Sequence, residues 1–120
     1  MAIKKAAKYI LSEQEKDGSW FGRWGTNYIY GTWSALSALS LVDFEDKEKV
    51  FNLATDFLKT KQRKDGGWGE DGATYDRNHR DLAKASTPSQ TAWAILGLIA
   101  AGQIQSENVK KGISYLTNLF

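Results

Sequence analysis

The chain has 120 residues, 42% of them hydrophobic, 25% charged and only one a proline, which describes a folded domain with one modest core and argues against disorder. Its net charge of +2, with no block of basic residues, gives no ground for a nucleic-acid partner. The absence of cysteine excludes disulfides, thiolate metal sites and a cysteine nucleophile, and the longest apolar run, 92–101, is too short to cross a bilayer.

The N-terminal stretch MAIKKAAKYILSEQEK is charged throughout and has no signal-peptide pattern, so a soluble cytoplasmic protein is expected. Within it Ile3, Ala6, Ala7, Ile10 and Leu11 share one helical face. A glycine-rich, aromatic turn follows in QEKDGSWFGRWGTNYIYG. The next segment, YIYGTWSALSALSLV, carries no charge and reads as a helix buried on most sides. DFED, at 43–46, precedes a second amphipathic stretch with Val50, Leu53, Ala54, Phe57 and Leu58 on one face. Carboxylates there suit a helix start, where they cap free N–H groups and favour the macrodipole.

A second glycine turn, QRKDGGW, leads into a polar stretch without periodicity at 69–86, read as a loop. STPSQ then offers Thr87 as N-cap, Pro88 at the first helical position and Gln90 to close a capping box. The charge-free TAWAILGLIAAG ends well at Gly102. Ser106 and Glu107 start a last amphipathic helix with Val109, Ile113, Leu116 and Phe120 on one face. No strand pattern is present. About five helices are expected, alternating outer (half-polar) and inner (charge-free), in a two-layer ring or solenoid of helical hairpins.

The chain repeats itself. KKAAKYILSEQEKDGSW aligns with NLATDFLKTKQRKDGGW at a constant offset of 48, pairing Tyr9 with Phe57, Gln14 with Gln62, Asp17 with Asp65, Gly18 with Gly66 and Trp20 with Trp68. A third copy places Tyr115 in the slot of Phe57 at an offset of 58, so the second unit carries about ten extra residues. The same logic aligns Trp33 with Trp93 and Leu36 with Leu96. The units run at about 3–42, 46–102 and, incompletely, 106–120 of a single domain. The third copy reaches Phe120 in the slot of Gln14 and Gln62, before its turn. A glutamine ending an outer helix can bond free backbone groups of the next turn, glycines permit positive φ, and a tryptophan can lid the joint. Gln14, Gly18, Trp20, Gln62, Gly66 and Trp68 are therefore expected to form structural clasps.

QEKDGSW and QRKDGGW resemble the QW repeats of the squalene-hopene and oxidosqualene cyclase family. The resemblance continues through GRWGTNYIYGTWSAL, DGGWGED and STPSQTAWAILGLIA, and so covers nearly the whole chain. It implies an all-α fold: part of the α/α barrel in the C-terminal half of a triterpene cyclase, an incomplete α/α toroid. It also implies a flanking apolar cavity in which aromatic rings steady carbocations. Trp24 and Tyr30 match the positions that resemble the family's cavity aromatics. A π face attracts a cation without a lone pair that would quench it.

The resemblance further implies an acid in a D-x-D-D-type motif, and none stands here. DFED is a near miss placed at a helix start and followed by KEK. His79, in the charged DRNHRD, reads as a surface residue, and Glu70 and Asp71 of WGED read as turn caps or ion-pair partners. No nucleophile elbow or phosphate loop is present, and no cofactor or metal is implied. Three readings remain open. The chain is a piece of a triterpene cyclase, folded but inactive alone; or it self-associates, as a dimer completing the toroid, around hydrophobic isoprenoid ligands; or it displays its tryptophan turns to a carbohydrate. Membrane contact is expected only through the parent family, since no basic amphipathic anchor is evident.

Overall fold

The computed structural model describes residues 2–22, 28–69 and 86–119, with side chains from Lys5 onward. Five helices stand in chain order: α1 (Ala2–Ser12), α2 (Tyr28–Leu39), α3 (Lys47–Lys61), α4 (Pro88–Ala100) and α5 (Glu107–Thr117). Among the described residues the only β feature is one bridge between Trp68 and Thr87. The two helices without charged residues, α2 and α4, pack along each other. They form the inner layer. The amphipathic α1, α3 and α5 lie outside, α1 on α2, α3 against both inner helices and α5 on α4. This is the alternation of a partial α/α toroid.

The core runs between the layers. Leu36, Leu39, Leu58, Leu98, Val109 and the ring of Trp68 are at most 1% exposed. Each buried side chain of this size stabilises by roughly 1.5–3 kcal/mol. The expected stripes hold at Ala54, Phe57, Leu58 and Val109, but Leu53 and Ile113 are 40% and 50% exposed. The centre of the α3 stripe lies between Phe51, Ala54 and Leu58, which leaves Leu53 on its shoulder. In α5 the core-facing position beside Ile113 belongs to Gly112, where a Cβ would meet Ile95 and the Trp68 ring.

Helix ends follow local chemistry. Thr87 accepts a hydrogen bond from the Gln90 amide at 3.2 Å, with Pro88 opening α4. Gly102, at φ +85°, closes α4 in a Schellman motif: Gln103 N–H bonds Leu98 O and Gly102 N–H bonds Ile99 O. Ser106 accepts from the Val109 amide and caps α5.

The start of α3 corrects the expected carboxylate cap. Asp46 occupies the N-cap position at φ 63°, but its side chain bonds no helix N–H. The cation beside it is the ordered group. Lys47 Nζ donates to Val42 O at 2.6 Å and Ser40 O at 3.4 Å, satisfying carbonyls just past α2, and lies 5.8 and 5.5 Å from the Phe44 and Phe51 ring centres.

Candidate functional site: two indole clasps and an aromatic seam

Each glycine turn is built twice with the same bonds. Gln14 Nε2 donates to Gly18 O and to Val50 O of α3; Gln62 Nε2 donates to Gly66 O and to Asn108 O of α5. One amide thus ties its own turn to the first turn of the next outer helix, using carbonyls of the turn and of that helix. Gly18 and Gly66 sit at φ +94° and +91°, where an L side chain is strained. Trp20 Nε1 reaches back ten residues to Ile10 O, and Trp68 Nε1 to Leu58 O at 2.6 Å. The indoles are 4% and 0% exposed, so each ring covers its joint as a lid. All six expected clasp residues stand in this arrangement.

Two threonines, not singled out in the sequence, complete it. The Trp20 amide bonds Thr32 Oγ1 and the Trp68 amide bonds Thr91 Oγ1, and both threonines are 0% exposed. They fix the register of the inner helices. Thr32 lies 12 residues after Trp20 and Thr91 lies 23 after Trp68, so the stretch from turn to inner helix carries eleven added residues in the second unit.

This register corrects the alignment of the inner helices by one residue. Thr32 corresponds to Thr91, Leu36 to Ile95 and Leu39 to Leu98, all buried, whereas Leu96 is 46% exposed. The aligned tryptophans drew the pairing one residue too far. Trp33 corresponds to Ala92, and Trp93 to Ser34. The two indoles are not repeat equivalents.

They meet instead across the α2–α4 seam. Trp33 and Trp93 stack with ring centres 6.5 Å apart at 12°, and Tyr30 stands edge-on to both, at 5.3 Å and 5.1 Å. All three rings are half-buried. Leu96 and Ile99, 46% and 36% exposed, continue the same helix as Trp93. Gly97 lets the helices close up here, because a Cβ on it would lie 3.3 Å from Trp33 Cα and 3.2 Å from Leu58 Cδ1. Tyr30 therefore belongs to an aromatic cluster. Trp24, the other expected cavity aromatic, lies outside the described residues, as do Glu70, Asp71 and His79.

The two turns differ in one detail. In the first, Asp17 accepts from the Ser19 amide and hydroxyl. In the second, Gly67 replaces Ser19, and the hydroxyl comes from Ser86, bonded to Asp65 at 2.7 Å. A Cβ on Gly67 would collide with Ser86 Cβ at 2.7 Å. Together with the Thr87 amide bonded to Trp68 O, this seats Ser86 and Thr87 against the second turn.

Slight burial pushes the Asp65 carboxyl up, but the Gly67 amide, the Ser86 hydroxyl and the Arg63 charge outweigh it and hold it below its ordinary 3.8. A depressed folded value favours folding above 3.8, and that contribution fades as pH falls toward the folded value. Asp65→Asn is accordingly expected to be less stable than the parent at neutral pH, with the difference closing in acid. Denaturant midpoints between about pH 3 and 6 check the slope.

Every described carboxylate is exposed or half-exposed. Among the described residues no three His, Asp or Glu gather as for a metal, and no helix is long and apolar enough to cross a membrane.

Hairpins clasped by Gln-x3-Gly-x-Trp corners around charge-free inner helices define a wall of an α/α toroid. The chain belongs to the family of the squalene-hopene cyclase C-terminal domain, whose model matches residues 1–119. It is 52% identical over 115 residues to a squalene-hopene cyclase of Zymomonas mobilis, covering 95% of this chain and 18% of that protein. It is 44% identical over 118 residues to a probable squalene-hopene cyclase of Sinorhizobium fredii, covering 98% of this chain and 18% of that protein. With a squalene-hopene cyclase of Bradyrhizobium diazoefficiens it shares 46% over 115 residues, 95% of this chain and 17% of that one. The chain thus spans less than a fifth of the length of these relatives.

Proposed function

We propose that this chain is a stretch of cavity wall from a squalene-cyclising barrel, and that alone it catalyses no cyclisation. The observation that carries this reading is the seam of Tyr30, Trp33 and Trp93, set on two helices without a charged residue. Rings of this kind attract a passing carbocation by about 2 kcal/mol or more each when desolvated, and offer it no base. Trp24 joins them by resemblance. The substrate class is a long isoprenoid hydrocarbon.

Protonating an alkene needs a strongly acidic carboxyl in an enclosed site with supporting partners. The best local candidate, DFED, stands at a solvated corner, where Asp43 is fully exposed and 4.0 Å from Lys47. Among the described residues no carboxyl is enclosed, and on this reading the acid comes from the rest of the barrel. Incubation with squalene, followed by product analysis, is therefore expected to return only squalene. Hopene or any cyclic triterpene would overturn the reading.

A second copy of the chain is the partner we expect for the isolated polypeptide, since Leu96 and Ile99 present apolar surface on an inner helix. Sedimentation at micromolar concentration separates dimer from monomer. The carbohydrate reading rests on Trp20, Phe21 and Trp24; Phe21 is 47% exposed, Trp20 is 4% exposed inside its clasp, and Trp24 lies outside the described residues. Membrane contact enters only through the family resemblance and rests on no described residue.

A further inference from the structure

We propose that Trp33 and Trp93 are positioning residues that fix the Tyr30 ring on the α2–α4 seam, with Gly97 as the spacer that lets them do so. This rests on the reading of Tyr30 as a cavity aromatic. Three observations carry it. The Tyr30 ring stands nearly perpendicular to both indoles, with centres at 5.3 Å and 5.1 Å, and the three rings close a triangle, so its plane is set by two contacts at once. The indoles are locked to each other by a near-parallel stack at 12°. The stack exists only because the two tryptophans are out of repeat register. Each stands where the other unit carries a small residue, Trp33 at the position of Ala92 and Trp93 at that of Ser34, so the seam is a feature of the pair of units and is required by neither clasp.

Aromatic pairs prefer such edge and offset arrangements, and each contributes modestly beyond its buried area. Gly97 lies one helical turn from Trp93, on the same side of α4. Its missing Cβ leaves Trp33 Cα room at a distance where a methyl group would already crowd it. Gly97 thereby sets the interhelix spacing at which the indoles stack. A ring held this way keeps its π face in one orientation, as a group that must meet a cation at a defined point requires.

The test uses the whole chain labelled with 3-fluorotyrosine, its Tyr30 resonance assigned by Tyr30→Phe. Trp33→Leu and Trp93→Leu are each expected to move that resonance toward the value of the free amino acid, while Trp33→Phe moves it much less. Gly97→Ala is expected to shift it in a chain that remains folded by circular dichroism. A Tyr30 resonance unmoved by both leucine variants overturns the positioning role. The second arm titrates dodecyltrimethylammonium, with dodecanol as neutral control. Trp33→Leu is expected to weaken the ammonium about three- to fivefold and the alcohol less. Equal loss of both probes, with the fluorine shift still present, leaves the seam geometry standing and overturns the cation-facing reading of Tyr30.

Discussion

Replacing Trp68 by alanine is expected to destabilise the chain by about 3–5 kcal/mol, the range for a large aromatic removed from a core. The Trp68 ring is 0% exposed and touches Gly112 of α5, and its Nε1 is the donor to Leu58 O. Removing it opens a cavity between α3, α4 and α5 and strands that carbonyl. Small domains have only about 5–15 kcal/mol in total, so the variant stands near the unfolding threshold. Trp20→Ala is expected to cost less, because its clasp serves α1, an edge helix whose main packing partner is α2. Urea midpoints of the two variants, at unchanged slope, give the order directly.

Gly18→Ala is expected to cost about 3 kcal/mol, for two additive reasons. The backbone stands at φ +94°, which a non-glycine residue adopts only under strain of roughly 1–3 kcal/mol. The added Cβ would also run into the carbonyl of Leu53, a backbone group that cannot turn away. Gly102 is the internal control. It too has a positive φ, +85°, but nothing lies within 4 Å of its virtual Cβ. Gly102→Ala pays the strain alone, about 1 kcal/mol. Thermal melts of both variants separate conformational strain from collision, and similar losses at the two sites would contradict the close seating of the first turn on α3.

The clasps were legible in the sequence because their chemistry is local. A glutamine, a positive-φ glycine and a tryptophan at fixed spacing state their own hydrogen bonds, and repetition at an offset of 48 confirms the pattern. The helix caps at Thr87 and Ser106 were legible for the same reason. What was not legible depends on partners distant in sequence. Thr32 and Thr91 look like ordinary helix residues until the tryptophan amides that need them are placed, although a shared T-x-x-A followed by Leu or Ile gave a usable signal. The matching indoles of Trp33 and Trp93 outweighed that signal and shifted the register by one.

The DFED corner failed differently. Carboxylates at a helix start invited a cap, yet the aliphatic stem and ammonium of Lys47 found both carbonyls and two ring faces there. Tyr9 shows the limit of repeat logic. It shares the register of Phe57, which is 6% exposed, but is itself 66% exposed, because burial depends on the neighbouring helix as well as on the slot.

The layered, clasped architecture makes a sharp demand on its indole protons. Hydrogen exchange of the tryptophan side-chain N–H groups, read by NMR, tests it most directly. Trp20 and Trp68, bonded to Ile10 O and Leu58 O inside closed joints, should exchange only with unfolding of their units, Trp68 the slower. Trp33 and Trp93, half-buried on the seam, should exchange far sooner. Fast exchange at Trp68, or protection at the seam equal to that of the clasps, would contradict the account.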